Sequence, residues 1–146
     1  MQVDFYHLTV TPLDRALPQI AEKVLASGER LLVVAGEAAE RTRIDLALWQ
    51  YQPESFLPHG LAGGEDDAEQ PILISGNPEA PNGARHVALV DGVWREGALT
   101  FERAFHFFDE ERIAEAREAW RGLAEREGVT RHYWKQNEAG RWEKIA

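Results

Sequence analysis

Cysteine is absent from all 146 positions. That excludes disulfides, thiol chemistry and Cys-held metals, and it fits a cytoplasmic setting. Long apolar runs are absent too. The longest, such as "LLVVAG", fall far short of the roughly 20 residues that cross a bilayer, so no membrane span is expected. The opening "MQVDFYHLTV" has neither a basic region nor a cleavable apolar core, so no secretory leader is expected. Positive charge is scarce: 16 Lys and Arg face 25 Asp and Glu, for a net charge of −9. Holding nucleic acid through the overall field needs the opposite balance. The five histidines (His7, His59, His86, His106 and His132) are scattered. No two lie three or four residues apart, so no helical metal pair exists.

What is present suits one domain with a sizeable core. The hydrophobic fraction is 44%, and five Trp is generous for the length. "VDFYHLTV" (3–10) alternates and is rich in β-formers, which predicts a first strand. In 11–28, Leu13, Leu17, Ile20, Val24 and Leu25 recur at helical spacing up to Gly28, with Pro18 expected in the first turn. "RLLVVAGE" (30–37) is a continuous apolar run, as in a strand buried on both faces. A helix follows over 37–50, with Ala38, Ile44, Leu46 and Leu48 as its apolar stripe. "PILISG" (71–76) and "RHVALVDG" (85–92) predict two more strands, and the second half of 101–109 a fifth. Residues 109–128 predict a long helix with Ile113, Ala116, Trp120 and Leu123 inward, Asp109 as N-cap and Gly128 as stop. The tail over 129–146 is polar and aromatic, with a turn at Ala139-Gly140. Strands alternating with helices imply βαβ units. The expected fold is a single three-layer α/β domain over 1–146 with a mainly parallel sheet of about five strands.

Phosphate and nucleophile motifs are missing. "GLAGGED" follows a Pro-rich loop rather than a strand, and it lacks the Lys and hydroxyl of a phosphate loop. Ser55 has no nucleophile elbow around it. His59 could act as a general base if Glu54 or Asp66 oriented it; the blander reading, a turn-stabilising His bonded to backbone, is favoured. On that first reading the chain is a small nucleotide- or nucleoside-handling enzyme.

Two stretches stand out. The first is "LALWQYQPESFLPHGLAGG" (46–64), a Pro- and Gly-rich loop that nonetheless carries Trp49, Tyr51 and Phe56. Either it folds onto the core or it offers those rings to a partner. The second is the last helix. Arg117 and Arg121 are four apart and share a face, with Trp120 between them and "FHFF" nearby. On one reading they form a cationic pocket, of the kind that suits an acidic peptide ending in a carboxylate and an apolar side chain. In the competing reading, Arg117 pairs with Glu110 or Glu125 and Trp120 is core.

These residues carry a family resemblance. "IDLALWQYQPESFLPHGLAGGEDDAEQPILI" (44–74), with its Leu-Trp helix end and Pro-His loop, resembles the central signature of the DNA polymerase III chi subunit family. "AREAWRGLAEREGVTRHYWKQNEAGRW" (116–142) resembles that family's C-terminal region, and "DFYHL" (4–8) its first strand. The likeness runs through nearly the whole chain in order. It implies a Rossmann-like fold without nucleotide, cofactor or metal, and a non-catalytic accessory role. Chi-like subunits join the clamp loader through the psi subunit, or pair with a repair helicase on the same surface. Elsewhere they bind the acidic C-terminal tail of single-stranded DNA-binding protein. The resemblance places the psi or helicase contacts on Trp49 and Phe56. It places the tail contacts on Arg117, Trp120 and Arg121, with Phe107 as the apolar wall. Two departures are visible: the helix beyond Trp120 runs about one residue long, and Ile113 stands where a basic residue can occur.

Overall fold

The computed structural model describes residues 1–52 and 57–146. Its sheet holds eight strands among the described residues: β1 (Gln2–His7), β2 (Leu31–Val34), β3 (His59–Leu61), β4 (Ile72–Ser75), β5 (His86–Leu89), β6 (Arg103–Phe108), β7 (Thr130–Gln136) and β8 (Trp142–Lys144). They lie in the order β3-β4-β2-β5-β6-β1-β7-β8. Every neighbouring pair is parallel except β7 with β8. Three α-helices, α1 (Leu13–Ala26), α2 (Ala38–Gln50) and α3 (Ile113–Gly122), complete the α/β fold.

The five expected strands form. The count is nonetheless too low by three, namely β3, β7 and β8. β3 is a short edge strand inside the Gly-rich loop. β7 and β8 make a hairpin whose turn needs Gly140 at φ +80°.

Strand alternation makes two cores. Leu31, Val33, Phe105 and Phe107 point to one face, where Leu17, Ala21 and Val24 of α1 and Ile44 and Leu48 of α2 cover them. Phe5, Leu32, Val34, Leu89 and Phe108 point to the other, where Ala116 and Leu123 of the α3 segment cover them.

Three helix details differ from expectation. α1 starts at Leu13, so Pro18 falls in its second turn, where it has no N–H for the Asp14 carbonyl. Leu46 is exposed: it lies two residues from both Ile44 and Leu48, about 200° around the helix. α3 stops at Gly122, well before Gly128. Gly is a poor helix former, and the chain must turn back there to reach β7. Asp109 does cap, but it caps the 3-10 turn Glu110–Arg112, accepting from the Glu111 N–H at 3.0 Å.

β1 is tied to both neighbours by one buried carboxylate. Asp4, with no exposure, accepts from Arg103 Nε of β6 at 2.8 Å and from Trp134 Nε1 of β7 at 3.1 Å. Gln2 Nε2 donates to the same group at 3.0 Å. Asp4→Ala is expected to cost about 3 kcal/mol in urea unfolding, because it strands the groups that converge there.

A second buried polar group sets an acid limit. His106 of β6 is fully buried among Phe5, Trp94 and Phe108. Burial pushes its pKa down to about 4 from 6.5; Asp91 opposes the shift and Arg95 adds to it. Above pH 6.5 the ring is neutral in both folded and unfolded chains, and its contribution is whole. As pH falls from 6.5 towards 4, the unfolded chain binds a proton that the folded chain refuses, and about 3 kcal/mol is lost. His7 and His86 shift in the same direction, burial again leading. His106→Gln should therefore lose less stability between pH 7 and pH 4 than the parent chain; parallel losses in urea titrations would contradict this.

Candidate functional site

The sheet's topology marks one crevice. From β1 the chain crosses through α1 towards β2, while from the adjacent β6 it crosses through α3 towards β7 on the opposite side. Doubly wound folds bind ligands at such a reversal, beyond the carboxyl ends of the strands. Here that place holds a crevice of about 540 Å³, lined by Asp14, Glu40, Asp91, Asp109 and Glu111 against Arg43 and Arg112. Burial and the Asp91 charge push the Glu40 carboxyl up. Five carboxylates against two guanidiniums repel a phosphate.

The loop after β1 is also occupied from within. The backbone N–H groups of Thr9, Val10 and Thr11 all donate to Gln136 Oε1, at 3.3, 3.1 and 3.0 Å. A side-chain amide thus sits where that loop would meet an anion.

His59 is not a poised base. Its side chain is fully buried. Nδ1 lies 2.6 Å from the Leu57 carbonyl, and Nε2 lies 3.2 Å from the Asp45 carbonyl and 3.1 Å from its carboxylate. The acid beside it is Asp45, not Asp66, and Glu54 lies outside the described residues. The ring pins α2 to the chain leading into β3, as the turn-stabilising reading expects.

Trp49 rides on that pin. Its ring centroid is 4.7 Å from that of His59, yet it is 58% exposed. Leu46, one turn earlier, is also exposed, as is Leu61 on β3. Trp49 is therefore a surface ring, while Tyr51 packs against the core. Phe56 lies outside the described residues.

On the opposite edge, α3 presents Arg117 and Arg121 to solvent around a partly buried Trp120. Trp120 packs edge-on against Phe5 and Tyr133, with centroids 5.3 and 5.7 Å away. The Arg131 guanidinium covers its face at 3.9 Å and donates to its backbone carbonyl. Trp120 is thus part core and part rim. Arg117 and Arg121 form no ion pair within 4 Å among the described residues, so the expected alternative of Arg117 with Glu110 or Glu125 is not made.

Parallel register puts Arg131, Tyr133 and Lys135 of β7 on the same sheet face as Val3, Phe5 and His7, the face that α3 covers. Four bases and two aromatics therefore share one surface. Sequence reading missed the β7 members. The period-two alternation of Arg131, Tyr133 and Lys135 against His132, Trp134 and Gln136 was the available signal.

Phe107 does not join them. It has no exposure and belongs to the core beneath α1 and α2, stacked 5.2 Å from Tyr6. A strand alternates its faces, so the ring on the α3 side is Phe108, also buried.

A family model described as DNA polymerase III chi subunit, HolC, matches residues 1–130. The chain belongs to this family. Similar curated proteins carry the same name. "DNA polymerase III subunit chi" of Pseudomonas aeruginosa is 32% identical over 91 residues, 60% of this chain and 62% of that one. The Escherichia coli K12 subunit is 30% identical over 81 residues, 56% of this chain and 54% of that one. The Haemophilus influenzae subunit is 32% identical over 74 residues, 49% of this chain and 51% of that one. The chain thus spans about half to three-fifths of the length of these curated relatives. Nearly all of β7 and the whole of β8 lie past the residues that the family model matches.

The two placements make a stability prediction. Trp49→Ala should change the unfolding free energy by less than about 1 kcal/mol. Phe107→Ala should cost about 3–5 kcal/mol. Urea midpoints decide it, and equal losses would refute the surface placement of Trp49.

Proposed function

We propose that the chain is a non-catalytic accessory subunit of bacterial DNA polymerase III, built as one Rossmann-like three-layer domain over 1–146. It associates with the clamp loader and bridges it to single-stranded DNA-binding protein. Membership of the chi family supports the replication role. No described helix is long and apolar enough to cross a membrane.

One observation carries the tail-binding half. In a chain with an excess of nine acids, Arg117 and Arg121 form no ion pair within 4 Å among the described residues, on either side of a half-buried Trp. An acidic peptide ending in a free carboxylate and an apolar ring supplies what they lack. Arg117, Trp120 and Arg121 are the tail contacts, and the β7 bases extend the positive rim. Trp49 supports the other half. An exposed aromatic on a rigid helix, held from below by a buried His, presents its ring to a partner at little entropic cost. With Phe56 it docks the psi subunit or a helicase that replaces it.

Calorimetry with a synthetic acidic peptide ending in Phe tests the tail site. Arg117→Ala should weaken binding by about 2 kcal/mol. Amidating the peptide's end should weaken it further, and so should added salt. Undiminished affinity in Arg117→Ala rejects the site. Trp49→Ala should lose co-purification with psi or the helicase while keeping the peptide's affinity; loss of both together would mean a general defect of folding.

A further inference from the structure

Glu110 brings a carboxylate to the basic surface on α3 and β7. Glu110 follows β6 and is 70% exposed, yet its Oε1 lies 2.9 Å from Nε2 of the buried His7. The contact is close but poorly aligned for a hydrogen bond. His7 stacks on Phe108 with centroids 5.1 Å apart, and the parallel register sets it beside Lys135. The charges that act on it are Glu110, Lys135 and Arg117. Those that act on the neighbouring Tyr133 are Arg117 and Glu110. Arg117 and Lys135 thus bear on the same corner as Glu110, with Glu143 of β8 opposite Lys135 across the hairpin. Glu110 stands in the 3-10 turn that leads into α3, ahead of Ile113, Arg117 and Arg121 in the chain.

We propose that Glu110 is a built-in competitor for the ligand's carboxylate: it rests on His7, with Arg117 and Lys135 bearing on the same corner but forming no ion pair with it within 4 Å among the described residues, and it swings out when an acidic peptide docks. This rests on the tail-binding reading above. The contact suits such a role because the side chain is solvent-exposed and needs only a rotation to leave. Its hold is weak, since an exposed carboxylate gains little from one poorly aligned partner. Its presence raises the threshold for ligands, so a lone carboxylate would bind poorly and only a peptide that also contacts Arg121 and Trp120 would displace it.

The test compares Glu110→Gln with Glu118→Gln, an exposed acid on α3 that removes the same charge. The probe is the synthetic acidic peptide ending in Phe, with free and amidated ends. Glu110→Gln should bind the free-acid peptide about fivefold tighter, and Glu118→Gln less than about twofold. The gain at 110 should shrink with the amidated peptide and vanish in combination with Arg117→Ala. In the unliganded chain, NMR titration of His7 should move to lower pH in Glu110→Gln, which reports the contact without any peptide. If the parent chain binds no peptide, the tail-binding reading falls and this inference with it. If the parent binds but the two Gln variants behave alike, or His7 does not shift, only the competitor role is refuted.

Discussion

Asp4 is the constraint on which the rest of the architecture hangs. A carboxylate with no solvent contact is tolerable only if its charge and lone pairs are met, and here strands on both sides meet them. Because Trp134 reaches Asp4, its strand neighbours Tyr133 and Lys135 must face the other way, towards α3. A one-residue slip of β7 would carry the basic residues to the wrong side and bury their charges. Gln136 adds a second lock at the other end of the strand by filling the loop after β1. Packing on one face of the sheet therefore fixes the electrostatics of the opposite face.

The same scaffold shapes the crevice at the topological reversal. The crevice between β1 and β6 keeps the position of a nucleotide site, but its charge is reversed and its N–H groups are engaged. The proposed docking surfaces use the flanks instead: α2 with β3 at one edge, and α3 with β7 towards the other. They are separated by most of the sheet's width, so two partners docked there would share no residues.

Much of this was legible in the sequence, for physical reasons. Buried parallel strands are uniformly apolar, so "LLVV" and "ILIS" declare themselves. The Arg117 and Trp120 stripe follows from the helical period alone. β7 escaped because its inward residues are a buried Gln, a Trp with a polar partner and a His, which break the apolar alternation. β3 escaped because three residues flanked by Gly and Pro carry no period at all. Phe107 was misplaced by proximity in sequence. "FHFF" lies next to α3 along the chain, but adjacent strand residues face opposite layers. His59 could be recognised as a loop histidine, while its carboxylate partner Asp45, 14 residues away, needed the fold to appear.

The place of β1 has a consequence for how the protein is made. β1 leaves the ribosome well before its partners, which begin at residue 103 on one side and at 130 on the other. Neither partner exists until most of the chain has been synthesised. During that interval β1 is an apolar segment with two open edges and a carboxylate that has nothing to bind. Native structure is then completed late, through contacts of very long sequence separation, which fold slowly. A ribosome stalled before residue 130 leaves a chain with one side of β1 unprotected, a natural target for chaperones and proteases.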